Sequence, residues 1–126
     1  MKVALPTLKT LLLDNVLEIR YIRRFSKPGF PATRRMLCTN KSSILSSEPG
    51  KKLLNFRQPL KQQPKYNPVT KNIVIAWDIL VQDYRCITAD DCEVLATIKD
   101  EEEFWKYYNE KLYPMTPGDK IKFMTT

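Results

Sequence analysis

The side chains of this sequence that could do chemistry are mostly cations, and most of them lie in its first half. Five aromatic residues are interleaved with them, namely Tyr21, Phe25, Phe30, Phe56 and Tyr66. An arginine can pair with a phosphate through two N–H groups, and an aromatic ring can stack on a base. We therefore predict contact with RNA through the basic residues of this half. The predicted RNA-binding residues are Arg20, Arg23, Arg24, Lys27, Arg34, Arg35, Lys41, Lys51, Lys52, Arg57, Lys61 and Lys65.

The spread of these cations along the chain predicts the kind of contact. Because they do not lie on one helix face, we expect contacts to phosphates and to RNA shape rather than readout of base sequence. Each neutralised phosphate would release counterions, so binding should weaken as salt is added. A solvated basic surface and a targeting segment are the alternatives for the same residues.

The net charge changes sign along the chain. The 126 residues carry a formal charge of +7, but residues 1–71 hold 15 basic and 3 acidic side chains, whereas residues 72–126 hold 6 basic and 11 acidic ones. An asymmetry of this size is typical of a basic arm that contacts a polyanion beside an acidic folded domain. We therefore expect a basic arm and an acidic folded domain that meet near residue 71.

Several kinds of chemistry are excluded by composition. The chain contains no histidine, so histidine-based nucleophile activation and histidine-ligated metals are absent. Its cysteines, Cys38, Cys86 and Cys92, form neither a C-x-x-C pair nor a disulfide framework, which favours a reducing compartment. The three glycines lie too far apart for a phosphate-binding loop. We predict that the chain is not an enzyme and has no cofactor, no metal site and no small-molecule substrate.

Three further features have plain structural interpretations. The carboxylates of 90–93 and 100–103 are expected to cap a helix and to lie in solvent, because no calcium-type loop accompanies them. No apolar run reaches the roughly 20 residues that span a bilayer, so we predict no membrane span. Trp77 and Trp105 are expected to belong to a hydrophobic core.

Residues 1–25 are predicted to form an amphipathic basic segment. Leu8, Leu12, Val16 and Ile19 recur at spacings of four, four and three, which places them on one helix face. The alternation of apolar residues over 17–22 predicts a strand there instead, and both structures stay open.

The same segment has two functional interpretations. Mitochondrial targeting segments are amphipathic, rich in arginine and poor in acids. Arg23-Arg24-Phe25-Ser26 resembles a matrix-protease cleavage site, which predicts the mitochondrial matrix as the location. Asp14 and Glu18 favour an ordinary surface helix that stays on the mature protein.

Residues 26–71 are predicted to form an extended basic arm. Seven of the nine prolines occur by Pro68, and each proline removes a backbone donor and favours extended geometry in the residue before it. Apolar residues such as Met36, Leu37 and Leu54 would anchor the arm, and we expect it to become ordered on a partner.

Residues 72–126 are predicted to form a small α+β domain. The apolar run 73–81 indicates a buried strand, and 92–98 a second one after a turn through 89–91. A helix is predicted over 100–112, with Asp100 as its N-cap. Residues 117–124 fit either a last helix or a strand. The predicted fold class is therefore α+β, with a two- or three-stranded sheet and one or two helices behind the long arm.

Part of the sequence resembles the small basic proteins of fungal mitochondrial ribosomes. Segments 28–40, 54–59 and 64–68 are similar to the arms of that group, and 72–82 and 115–124 fit it as well. The resemblance covers most of the chain without indicating a particular subunit. It implies a structural role in contact with ribosomal RNA and neighbouring mitochondrial ribosomal proteins. A matrix assembly factor for an inner-membrane complex is an alternative.

Residues 67–124 also resemble the cap-binding initiation factor (4E) family. Segment 72–79 is similar to its first strand with an internal tryptophan, and 102–109 to its helix motif of acidic residue, Phe, Trp and then Tyr-Asn. That family holds a methylated base between two tryptophans. No tryptophan lies between Trp77 and Trp105 here. This resemblance implies a binding module of the translation-initiation type.

Overall fold

A five-stranded antiparallel sheet is the centre of the fold. The computed structural model describes residues 2–22, 28–29, 31–57 and 72–125. The strands are β1 (Val16–Ile22), β2 (Thr33–Thr39), β3 (Ile73–Asp78), β4 (Asp83–Thr88) and β5 (Glu93–Ile98). The helices are α1 (Leu5–Asp14), α2 (Ser42–Leu45), α3 (Glu48–Leu53), α4 (Glu101–Tyr107) and α5 (Pro117–Thr125).

The order of strands across the sheet is β4-β3-β2-β1-β5. β1 and β2 pair along their whole length, from Val16 opposite Thr39 to Ile22 opposite Thr33. β3 pairs with β2 only at Cys38–Asp78 and Thr39–Trp77. The sheet therefore takes strands from both sides of residue 71, and its two edges are β4 and β5.

Helix α1 covers one face of the sheet and forms an aliphatic core with it. Pro6 lies in the first turn, where its missing N–H costs nothing, and the helix ends at Asp14. Alternate residues of the strands point to this face, as their period of two requires. The fully or nearly buried members of the aliphatic core include Leu8, Leu12, Leu17, Ile19, Met36, Cys38, Ala76, Ile87 and Cys92.

The other four helices cover the opposite face and form an aromatic core. Trp77 and Phe104 have no exposed surface, and Tyr108 and Phe123 are also buried there. Aliphatic residues from α2, from the end of α3 and from the strands complete it. These include Val16, Leu37, Ile44, Leu45 and Leu54.

Several predicted elements are confirmed. The strands beginning at Ile73 and Glu93 are present, and a 3₁₀ turn at Ala89–Asp91 joins β4 to β5. Asp100 caps α4 by accepting a hydrogen bond from the Glu102 N–H at 2.9 Å. Residues 117–124 fitted either a helix or a strand, and the structure shows a helix over 117–125 that Thr116 and Asp119 cap reciprocally.

Other predictions of the fold are wrong in extent. The α+β class is confirmed, but within the described residues the sheet has five strands rather than two or three, and five α-helices accompany it. The extended arm is not confirmed, because the described part of 26–71 contains β2, α2 and α3. The physical reason is that Met36 and Cys38 fill the aliphatic core while Leu37 fills the aromatic core.

The helix within residues 1–25 is also shorter than the apolar spacing predicts. Leu8 and Leu12 are buried on α1, but Val16 and Ile19 belong to β1, so the predicted strand over 17–22 is the structure observed there. At the other end of the chain, α4 continues through a π-helical turn at Tyr108–Leu112. The strand β3 ends at Asp78, where a turn leads into β4.

Candidate nucleic-acid interface

Arg34 is buried in the fold and does not face solvent. Its Nη2 donates to Asp78 Oδ2 at 2.7 Å, and only 8% of the residue is exposed. The same Nη2 lies 3.4 Å from Met124 Sδ, so the guanidinium group connects β2, the end of β3 and α5. Arg34 therefore stabilises the fold, and little of its surface is accessible to RNA.

Asp78, the partner of Arg34, is a buried carboxylate that also closes a turn. Its Oδ1 accepts hydrogen bonds from the N–H groups of Leu80 and Val81, both at 3.0 Å. Burial raises the pKa of Asp78 above its ordinary value, although these two N–H groups and the nearby guanidinium groups of Arg34 and Arg85 act in the opposite direction. The carboxylate therefore depends on its partners to stay charged.

Arg35 is half-buried above the aromatic core. It forms an ion pair with Glu18 of β1, and its guanidinium carbon lies 4.2 Å from the centre of the Phe123 ring. Register places Arg20 opposite Arg35 on one side and opposite Glu93 on the other. Since like charges directly opposite each other destabilise a sheet, the carboxylates of Glu18 and Glu93 compensate this pair of arginines.

Arg57 is largely accessible but already has partners. Its Nη2 lies 3.2 Å from Asp83 Oδ1, and its guanidinium group lies 5.4 Å from the Trp77 ring centre. The side chain is 57% exposed. An ion pair this exposed is worth at most about 1 kcal/mol, so a phosphate could replace Asp83 as its partner.

The three predicted RNA-binding lysines that the structure describes differ in whether their ammonium groups already have partners. The Lys41 Nζ donates to two backbone carbonyl oxygens, Asp14 at 3.2 Å and Lys99 at 3.0 Å, and thereby connects the ends of α1 and β5. Lys51 and Lys52 are exposed in the last turn of α3, where the helix dipole stabilises positive charge. Within the described part of the chain, no hydrogen bond or ion pair occupies their ammonium groups.

Five predicted RNA-binding residues lie outside the described residues. These are Arg23, Arg24, Lys27, Lys61 and Lys65. The predicted cleavage motif at 23–26 lies outside them as well. The structure therefore brings Arg20 and Arg35 together on neighbouring strands and presents Lys51 and Lys52 together on α3.

Two ion pairs, neither of which was predicted, link the basic half of the chain to the acidic half. Arg34 pairs with Asp78, and Arg57 with Asp83, so each joins a cation from 1–71 to a carboxylate from 72–126. Part of the charge asymmetry along the chain is thus used inside the fold. A signal was present in the sequence: Asp78 interrupts the apolar run 73–81, and a charge in a buried strand needs a partner.

The aromatic residues expected to stack on bases are mainly part of the fold. Tyr21 is 4% exposed, and Phe25, Phe30 and Tyr66 lie outside the described residues. Phe56 is half-buried with its ring edge-on to Trp77 at 5.3 Å. Trp77 is fully buried, and its indole N–H donates to the Leu54 carbonyl at 3.2 Å. Its prediction as a core residue is confirmed, and neither face of its ring is open to a base.

The cysteines do not form a reactive centre. Burial raises the pKa of the Cys38 thiol well above its ordinary value and that of Cys92 to about 11. The thiolate is the nucleophile, so these two thiols are unreactive at neutral pH. Cys86 is half-buried on β4.

One open groove lies between α1 and β3. Its volume is about 310 Å³, and it exposes Leu13 and Ile75. It is lined by Lys9, Leu13, Asn40, Ile73, Val74 and Ile75. This lining has one lysine and no carboxylate, thiol or hydroxyl group, so it holds no pair for acid–base or nucleophilic chemistry.

Comparison of the chain with protein-family models, with curated proteins and with solved structures found no match. No helix among the described residues is long and apolar enough to cross a membrane.

Proposed function

We propose that this chain is a structural, non-catalytic component of the mitochondrial ribosome that contacts ribosomal RNA through its basic half. The observation that carries the proposal is the surplus of cations over 1–71, of which Lys51 and Lys52 are exposed side by side on α3. In this proposal the protein acts in the mitochondrial matrix and contacts neighbouring ribosomal proteins through residues 72–126.

The local structure around α3 supports a role in binding phosphates. Ser47 caps the helix by accepting a hydrogen bond from the Gly50 N–H at 3.1 Å. Gly50 is buried, and a Cβ there would meet the carbonyl oxygens of Ile44 and Leu45, so α2 and α3 approach each other closely. The helix backbone that carries Lys51 and Lys52 is therefore fixed before an anion binds, which lowers the entropic cost of binding.

The internal ion pairs refine which cations take part. Arg34 is occupied by Asp78 and is assigned to the fold rather than to RNA. Arg57 keeps an exposed guanidinium group and can exchange its carboxylate for a phosphate. We propose Lys51, Lys52 and Arg57 as the RNA-contacting residues within the described part of the chain.

A cap-binding function has less support from the geometry. That function would need Trp77 to present a ring face to a base, and the ring is fully buried among Phe56 and Tyr84. A matrix assembly factor remains the competing proposal. It predicts association with an inner-membrane complex, and ribonuclease treatment would not disrupt that association.

The proposal is tested by sedimentation of the tagged protein from mitochondrial lysate in magnesium-containing, low-salt buffer. We expect it to migrate with a ribosomal particle and to be released by ribonuclease or by added salt. Free migration, or migration with a membrane complex after ribonuclease treatment, would contradict the proposal.

Paired charge reversals identify the surface involved. Lys51→Glu with Lys52→Glu should weaken association about tenfold, because two phosphate contacts are replaced by repulsion. Lys106→Glu with Lys111→Glu is the matched control, since both lysines are exposed on the acidic half. Equal effects of the two pairs would show that net charge, rather than α3, governs association.

A further inference from the structure

We propose that the outer edge of β5 binds an extended, basic polypeptide segment of another protein as an added strand. β5 ends the sheet, with β1 on its inner side. On its outer side, the one bridge among described residues joins Lys2 to Glu93 at the start of the strand. An edge strand presents backbone N–H and C=O groups that another extended chain can pair with.

The other edge of the sheet shows how such an edge is normally protected. β4 carries Asp83 and Arg85, which pair with each other at 3.6 Å, and Arg57 also binds Asp83. Charged side chains of this kind discourage edge-to-edge pairing. β5 has no charged residue between Val94 and Ile98.

The open part of the edge begins after a β-bulge. The register between β1 and β5 shifts between Glu18 and Ile19, which leaves Leu95 without an opposing residue. Beyond the bulge, Ala96 and Thr97 are exposed. Residues 95–98 therefore offer about 14 Å of edge to an incoming strand, which is enough for a short addition of modest affinity.

The charges around β5 specify the chemistry of its partner. Residues 90–103 contain seven carboxylates and a single lysine, Lys99. Asp91 precedes the strand and Glu102 and Glu103 follow it, and all three are exposed. A strand added between two acidic ends is stabilised when its own ends carry lysine or arginine, and an acidic strand would be repelled. A second copy of this chain would bring its own carboxylates to the same place, which disfavours self-pairing.

The probe for this edge is a short fluorescein-labelled peptide in which lysine and arginine alternate with valine. Fluorescence anisotropy measures its binding to the full chain at low salt without RNA, so the result is separate from the proposed ribosomal role. We expect the basic peptide to bind and its counterpart with glutamate at the charged positions not to bind. A basic peptide methylated on consecutive backbone nitrogens should lose binding, because successive N–H groups point to opposite edges of a strand and methylation of all of them blocks both edges. Equal binding of the methylated peptide would overturn the proposal in favour of simple charge attraction.

A matched pair of substitutions locates the site. Ala96→Lys should weaken binding of the basic peptide by about threefold to tenfold, whereas Ala96→Gln, which adds an uncharged side chain opposite Glu18, should leave it nearly unchanged. Circular dichroism of both variants checks that the sheet is intact. Binding that ignores both substitutions would overturn the proposal. Sedimentation equilibrium of the unmodified protein supplies one more test, since a dimer abolished by Ala96→Lys would assign the edge to a second copy and overturn the proposal as well.

Discussion

The face of the sheet covered by α1 and the face covered by α2 to α5 are closed in different ways. The aliphatic core is sealed by one helix that comes directly before β1 in the chain. The aromatic core is covered by two pairs of helices, α2 with α3 and α4 with α5, which come from separate parts of the chain. Two hydrogen bonds hold the end of α3 in this core: the Trp77 indole of β3 donates to the Leu54 carbonyl, and the hydroxyl of Tyr108, which follows α4, donates to the Leu53 carbonyl at 3.2 Å. Helix α1 is hydrogen-bonded to the sheet as well, through the Asn40 N–H that donates to the Leu12 carbonyl at 2.9 Å. The two faces therefore differ in how far along the chain their covering elements lie from the strands, and not in whether hydrogen bonds hold them.

The largest loss of stability is expected from Trp77→Ala in the aromatic core. Removing a fully buried tryptophan leaves a large cavity and an unpaired Leu54 carbonyl, so the free energy of unfolding should fall by about 3–5 kcal/mol. Urea denaturation measures the change. Trp105→Ala is the control, because Trp105 is only half-buried, and its loss should be less than half as large. Equal losses would contradict the assignment of Trp77 as the centre of this core.

Leu12→Ala tests the aliphatic core. Leu12 is fully buried beneath α1, and we expect a loss of about 3 kcal/mol in the free energy of unfolding. The neighbouring Leu13 is 60% exposed, so Leu13→Ala should stay within about 0.5 kcal/mol of the unmodified protein. If the two variants were equally stable, α1 would not cover the sheet as described.

Arg34→Met tests the ion pair that ties β2 and β3 to α5. Near neutral pH the variant should lose about 2–3 kcal/mol in the free energy of unfolding, because Asp78 is left charged and buried without its partner. Urea denaturation at several pH values measures this loss.

The loss in Arg34→Met should depend on pH in one direction. Burial already raises the pKa of Asp78 above its ordinary 3.8, and loss of the guanidinium group raises it further. A carboxyl whose folded pKa is raised favours the fold while protonated, so stability declines as pH rises from 3.8 through the folded pKa. The penalty should therefore shrink in acid. Arg35→Met, whose guanidinium group is half-buried, should show a smaller loss with little of this pH dependence, and a pH-independent penalty in Arg34→Met would contradict the role given to Asp78.

The smallest effect is expected from Asp100→Ala at the start of α4. Loss of the cap frees the Glu102 N–H, and the free energy of unfolding should decrease by about 1 kcal/mol. Thermal unfolding followed by circular dichroism measures it. Glu103→Ala removes a charge from the same first turn without removing the cap, and its effect should be smaller. A loss as large as that of Trp77→Ala would show that α4 docks through its first turn rather than through Phe104.

Local signals predicted the elements that carry strong patterns of their own. The apolar run at Ile73 and the acidic N-cap at Asp100 each needed only neighbours in sequence. Residues 117–124 fitted a helix or a strand, and local pattern alone did not decide between them. β2 was missed because Arg34 and Arg35 and the surrounding prolines indicate solvent and extended chain. What makes 33–39 a strand is its pairing with β1, together with burial on both faces, and neither is visible in a short window.

The residues of the candidate site could be predicted from the sequence, but which of them are accessible and which form ion pairs inside the fold could not. The sequence shows which residues are cations, and the proposed contacts Lys51, Lys52 and Arg57 were among the predicted ones. It does not show that Arg34 lies 2.7 Å from a carboxylate 44 positions away. Long-range partners of a charge are set by topology, so the accessible cations can be separated from the structural ones only after folding.

The strand order also determines how the protein must be assembled. β2 follows β1 closely in the chain and is available to pair with it early in synthesis, whereas β5, the other neighbour of β1, is among the last elements. At translation rates of roughly 5–20 residues per second, β1 would wait several seconds as an open edge. Pairings between distant segments slow folding, because the loop between them must close first. A nascent chain lacking β5 would expose β1 to other chains, so we expect premature truncation before residue 93 to yield aggregates rather than a smaller folded protein.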